Sequence, residues 1–232
     1  MATTTGPQEK QAASEHIEAT LPASFQGWLL LLLVFLAGAA SLSVEMAASR
    51  LLSPYFGDSL FVWASIIGLI LLYLTVGYYV GGLLADRYPR PVYLYYITGV
   101  ASLLILLIPL ISGPVLSWAQ LTFAPYDVGV LYGSLLTVII LFALPTILLG
   151  CVSPYSIRIR IQQVGSAGRV SGQLYAISTA GSILGTFLPV LVLLPYLGVR
   201  LTFLSTGLVL LIISVIGILS TSSQAARAPQ QT

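Results

Sequence analysis

The sequence predicts an all-α, polytopic membrane bundle of six transmembrane helices. Of 232 residues 57% are apolar and only 7% charged, where a soluble domain carries roughly a quarter charged. Mean hydropathy is +0.99. The apolar residues also gather into runs near the length of about 20 that a helix needs to cross the hydrocarbon. No water-soluble surface can be built from this composition.

The elements follow in order. Residues 1–26 hold Glu9, Lys10, Glu15, His16 and Glu18 without an apolar stretch, so they read as a disordered tail and not as a signal peptide. Six segments then read as spans: Trp28 to Ala48, Leu60 to Leu84, Val92 to Ile111, Val130 to Gly150, Val170 to Leu194 and Leu201 to Leu219. Together they make a membrane domain over 27–219. Pro189 and Pro195 are expected to kink or end the fifth, because proline removes a backbone donor. Residues 220–232 form a second short polar tail.

Charge placement sets orientation, since Lys and Arg are retained on the cytoplasmic side. With the N-terminus inside, Lys10, Arg87, Arg90, Arg158, Arg160, Arg169 and Arg227 lie inside, and Arg50 and Arg200 outside. Both termini are therefore expected in the cytoplasm of a cell whose inner (plasma) membrane holds the chain. The net charge of +2 gives no argument for nucleic acid, so the bilayer is the first partner. The lone Cys151 and lone His16 exclude a disulfide framework, Cys-based zinc sites and His-centred triads, and no cofactor is expected.

Two short matches suggest an internal repeat of three helices per unit, which would make the units topologically inverted. Ser53-Pro54-Tyr55 has a counterpart in Ser153-Pro154-Tyr155, about 100 positions on. Thr98-Gly99 has one in Thr206-Gly207, 108 positions on. Glycine pairs at a spacing of four, Gly77 and Gly81, Gly129 and Gly133, Gly168 and Gly172, Gly181 and Gly185, place bare positions on one helix face and are read as packing sites. Trp28, Trp63, Trp118, Tyr93, Tyr95 and Tyr96 lie near segment ends, where an aromatic belt is expected.

Candidate functional residues are few. Glu45 is the only carboxylate inside an expected span, and an intramembrane carboxylate is a functional hypothesis by default. Its depth, counted from Trp28, is about 25 Å, near the outer boundary. Arg50 lies five residues on, about 140° round a regular helix, so the two pair only if the helix unwinds. The inner stretch from Ser156 to Arg169, with Arg158 and Arg160, either anchors at lipid headgroups or docks a partner.

Gly82-Leu-Leu-Ala-Asp86-Arg87-Tyr-Pro-Arg90 resembles the major facilitator loop signature Gly-x-x-x-Asp-Arg-x-Gly-Arg, at the same inter-helix position, with Pro89 in place of a glycine. The resemblance implies a gating loop; physically, Gly82 permits close helix approach, Asp86 can accept hydrogen bonds from a neighbouring helix N-terminus, and Arg87 and Arg90 anchor at anionic headgroups. Six helices would then equal half of a major facilitator-like fold.

Glu45-x4-Arg50-Leu51-Leu52-x3-Phe56-Gly57-x-Ser59 resembles the membrane region of bacterial fused spermidine synthase-like proteins, in which helices precede an aminopropyltransferase-like domain. Pro145 to Gly150, Gly172 to Gly185 and Leu194-Pro195-Tyr-Leu-Gly198 resemble that family's second half, with Ser178 where Asn is usual. The family's enzymatic half binds decarboxylated S-adenosylmethionine and a diamine. No glycine-rich strand-to-helix loop with a following acidic residue occurs outside the membrane segments, so aminopropyl transfer by this chain alone is not expected. Three functions fit: a membrane module serving a separate aminopropyltransferase-like enzyme, a small-solute (including polyamine) transporter acting as a dimer, or a non-catalytic scaffold.

The orientation is testable by cysteine accessibility. Ser59→Cys and Asp127→Cys should label from outside sealed cells and Arg90→Cys should not; the reverse pattern would invert the topology.

Overall fold

The computed structural model describes residues 25–126, 129–161 and 167–227. The expected tail at 1–24, Asp127, the centre of the 156–169 stretch and the last five residues lie outside them. Every described element is helical: α1 (Phe25–Phe56), α2 (Leu60–Arg87), α3 (Pro91–Phe123), α4 (Gly129–Gly150), α5 (Val152–Arg160), α6 (Ala167–Leu188), a π-helical turn (Pro189–Leu193) and α7 (Leu194–Arg227). Five stretches are long and apolar enough to cross a membrane: α1, α2, α3, α4 with α5, and the continuous run from α6 into α7. The protein is a polytopic membrane helix bundle.

Turn chemistry explains the breaks. Gly57 takes a left-handed conformation, φ 75°, at the end of α1, and its N–H donates to the Ser53 carbonyl at 2.8 Å. Ser59 then caps α2, its Oγ accepting from the Val62 N–H at 3.4 Å. The Phe56-Gly57-x-Ser59 motif is thus a helix stop followed by a helix start. Gly198, φ 76° and ψ 174°, breaks the last run in the same manner. Before it Pro189 opens a π turn, in which the Leu194 N–H reaches the Pro189 carbonyl, so this proline distorts the helix without ending it.

Four boundaries differ from expectation, the first being that of α1, which continues past Ala48 to Phe56. Helix α3 continues past Ile111 to Phe123 through Pro109 and Pro114, and α7 continues past Leu219 to Arg227. Helix α4 does not end the fourth span at Gly150. A turn at Cys151 leads straight into α5, so Ser156 to Arg160 is helix and not inner loop. The reason is visible across the α2 contact: Gly150 lies on Gly77, and α2 runs ten residues further to Arg87, about 15 Å, so Gly150 sits half a bilayer above that end.

Helix α1 packs along α6, α2 along α4 and α3 along α7, with α3 also on α4 and α1 on α7. Helices α1 and α4–α5 are innermost, over half of their apolar stretch buried against about a third for α2 and α3. Outward faces carry large apolar side chains such as Leu60, Leu110, Leu121, Ile183 and Leu191, the surface that acyl chains solvate.

Close crossings are made at glycines. A Cβ on Gly77 would strike the Ile147 carbonyl, and one on Gly81 the Cys151 backbone; one on Gly181 would strike the Phe35 carbonyl, and one on Gly185 the Ala39 carbonyl. Gly38 lies against the Ser178 carbonyl and Gly150 against that of Leu74. The other two expected pairs behave differently. Gly168 and Gly172 face open space, and Gly133 accommodates the Phe56 ring while Gly129 meets Phe123 in the preceding turn. Tyr95 also departs from the aromatic belt: it is buried, its ring filling the space at Gly217.

Gly77→Leu and Gly181→Leu should each lower stability by about 3 kcal/mol or more, because overpacking here meets backbone and not a movable side chain. Gly168→Leu should change it little. Thermal unfolding of the detergent-purified protein, read by remaining monodisperse fraction, measures both.

Candidate functional site: the clasp at the basic end and the hydroxyl-lined core

The end of the bundle that carries Arg87, Arg90, Arg158, Arg160 and Arg169 is held by a clasp that the sequence does not announce. Arg158 Nε donates to Asp86 Oδ1 at 2.7 Å, the only ion pair among the described residues. The Tyr155 hydroxyl donates to the Tyr88 carbonyl and also lies 3.3 Å from the Arg90 carbonyl. Both contacts run from α5 to the turn between α2 and α3. They form because Gly81 sits on Cys151, which brings the ends of α2 and α5 side by side.

The residues of the expected gating loop separate accordingly. Asp86 takes an arginine and not a helix N-terminus. Arg87 lies 5.7 Å from the centre of the Tyr88 ring. Arg90 is exposed just before α3. Gly82 does not provide the close approach expected of it: no described residue comes within 4 Å of a Cβ there, since one residue's turn of about 100° moves the contact to Gly81.

The three arginines expected to act together also part. Arg158 is engaged with Asp86, both ends remaining half or more exposed. Arg160 has a buried Nη1 with no partner among the described residues, and Arg169 is exposed at the start of α6. An exposed pair such as Asp86 with Arg158 contributes about 0.2–1 kcal/mol. Its effect is to set the position of α5, with little gain in stability.

Glu45 and Arg50 are not brought together. Helix α1 runs unbroken through both, Glu45 half-buried and Arg50 exposed toward the end that also carries Arg200. Glu45 is one turn beyond Ser41, which shares a chamber with Tyr78, nine residues before Arg87. It therefore lies roughly 20 Å above the Asp86 level and about 10 Å inside the far edge of the hydrocarbon, deeper than the count from Trp28 gives.

The interior offers hydroxyls. Ser43 Oγ and Thr206 Oγ1 are 2.9 Å apart, Ser214 Oγ donates to Thr98 Oγ1 at 2.8 Å, and Ser134 Oγ donates to Ser65 Oγ at 3.2 Å. Each joins two helices, and Ser214, Ser134, Ser65 and Thr98 also bond carbonyls of their own helix. Ser182 Oγ donates to the Gly38 carbonyl at 3.2 Å. Among the described residues no three of His, Cys, Asp and Glu lie together.

Sequence reasoning missed Tyr155, the hydroxyl pairs and the role of Gly38 and Gly150. Serine and threonine within apolar runs were the available signal for the pairs. Tyr155 gave none, since its partner is a backbone carbonyl.

Compared with family models, with curated proteins and with solved structures, the chain matches none.

Tyr155→Phe should lower the midpoint of thermal unfolding by the equivalent of about 1 kcal/mol, the net worth of one hydrogen bond. Faster proteolysis at the Tyr88–Arg90 turn is an independent check. Unchanged stability and unchanged cleavage would leave the clasp to the ion pair alone.

Proposed function

We propose that the chain is a membrane carrier of small solutes, built from two inverted three-helix units over 25–123 and 129–227 and crossing the bilayer six times, with Gly198 at the last turn. One observation carries this reading: the contacts exchange between the two halves. The first helix of each unit lies on the second helix of the other, α1 on α6 and α4 on α2, while the third helices, α3 and α7, lie on each other.

The exchange holds residue by residue. Gly38 meets Ser178 where Gly150 meets Leu74; Gly181 meets Phe35 where Gly77 meets Ile147; Gly185 meets Ala39 where Gly81 meets Cys151. Gly99 lies against Ser214 where Gly207 lies against Leu106. The offsets are constant along each helix, 112 positions from α1 to α4, 104 from α2 to α6 and 108 from α3 to α7. Thr98-Gly99 and Thr206-Gly207 fit the last offset. Ser53-Pro54-Tyr55 and Ser153-Pro154-Tyr155 do not fit the first, so their likeness is not part of the repeat.

With three crossings per unit the second begins on the opposite face, and a two-fold axis in the membrane plane relates the halves. Carriers are often built this way because the two faces then become equivalent alternatives. The resemblance to half of a major facilitator-like fold agrees with it. Gly77, Gly81, Gly181 and Gly185 are occupied within one chain, so a dimer would have to use the lipid-facing surface.

A second reading, service to a soluble aminopropyltransferase-like enzyme, is favoured by one feature: Arg87, Arg90 and Arg169 are all exposed at the clasped end. Counterflow in proteoliposomes separates the two. Saturable exchange of at least one labelled solute, from a panel of polyols, amino acids and polyamines, is expected for a carrier. No exchange above protein-free vesicles, with a soluble enzyme captured from native membranes and released by reversing those arginines to Glu, would favour the second reading instead.

A further inference from the structure

Helices α2 and α6 do not pack on each other. Between them, bounded by α1 and the α4–α5 junction, lies a partly open chamber of about 70 Å³. Five hydroxyl-bearing side chains line it, Ser41, Tyr78, Ser153, Ser178 and Ser182, one or two from each surrounding element. The Ser41 hydroxyl is buried and has no hydrogen-bond partner among the described residues. Apolar side chains, Leu42 and Leu74 among them, make up the rest of the wall, and no charged group among the described residues belongs to it.

Depth can be counted twice. Tyr78 is nine residues before Arg87 on α2, and Ser178 is nine residues after Arg169 on α6, so both counts place the chamber roughly 13 Å from the basic end. That is close to the middle of a hydrocarbon layer of about 30 Å. A hydroxyl at this depth, away from bulk water, is satisfied either by a carbonyl of its own helix, as Ser65 and Ser214 are, or by an occupant that can hydrogen-bond.

The lining restricts the occupant. A cation or anion would give up its hydration shell for neutral partners that do not repay the loss. A polyamine is therefore a poor guest, and Glu45, a turn beyond Ser41 and outside the wall, does not change this. The space is several times the minimum of roughly 10–15 Å³ that one water needs, so it suits a few waters or a molecule of comparable size. Hydroxyls interleaved with apolar side chains match a guest whose own surface alternates O–H with C–H.

We propose that this chamber is a binding site for a small neutral polyol of about three carbons, glycerol being the probe that represents the class. The proposal names the solute class of the carrier reading and rests on it for transport, although binding stands by itself.

The test uses the full chain in proteoliposomes with Cys151→Ala, which removes the only cysteine, and either Ser41→Cys or Ser153→Cys. A methanethiosulfonate reagent reacts with the hydrated thiolate. Both thiols should react about tenfold faster or more than that of Ser102→Cys, a buried position outside the chamber. Glycerol should slow both reactions saturably, while sorbitol and putrescine should not. Either variant suffices if the other fails to fold. Labelling that glycerol does not slow means a water-filled gap and overturns the proposal, as does absence of labelling at both positions. Protection by glycerol without glycerol flux above protein-free vesicles upholds the site and removes glycerol as a carried solute, leaving the carrier reading to the counterflow panel. Glycerol flux without protection does the reverse.

Discussion

Direct backbone contact between helices, at positions lacking a side chain, holds this bundle together and sets where everything else lies. In hydrocarbon, burying an apolar side chain against another helix gains little over burying it in lipid, so association rests on dispersion and polar contacts at short range. Gly38, Gly77, Gly81, Gly150, Gly181 and Gly185 supply that range at two crossings, α1 with α6 and α2 with α4. Once those are set, α2 and α6 are held apart, and the space between them cannot close. The chamber is a consequence of where the glycines lie.

The same crossings decide what polar groups can do. Gly81 on Cys151 brings Tyr155 under the α2–α3 turn and Arg158 beside Asp86, so a tyrosine and an ion pair fix the basic end of α5. Deeper in the bundle, paired hydroxyls replace charges: Ser43 with Thr206, Thr98 with Ser214, Ser65 with Ser134. These add specificity to helix pairing at low desolvation cost. Glu45 is the exception, a half-buried carboxylate within a spanning helix and without an ion-pair partner among the described residues.

Much of the fold was legible because the bilayer imposes a length. Apolar runs gave the helices, whereas the helix stop at Gly57 and start at Ser59, read only as part of a family-like motif, came from the structure. Where composition stays apolar through a break, the reading failed. Gly150 looked like the inner end of a span because Arg158 and Arg160 follow it closely, yet the α2 contact places it near mid-membrane. Tyr95 looked like a belt residue because it neighbours Tyr93 and Tyr96, yet its ring is turned into the bundle against Gly217.

Composition and spacing along single helices were enough to establish an all-α membrane bundle, arginines concentrated at one end, and a packing role for Gly77, Gly81, Gly181 and Gly185. Only the assembled bundle shows that Gly38 and Gly150 belong with those glycines, that Gly82 does not, that Asp86 answers Arg158, and that five hydroxyls from separate helices share one chamber. A helix face acquires meaning only from what lies opposite it. Partners separated by 60 to 160 positions leave no periodicity within either segment, and a hydroxyl facing lipid has the same letter as one facing a cavity.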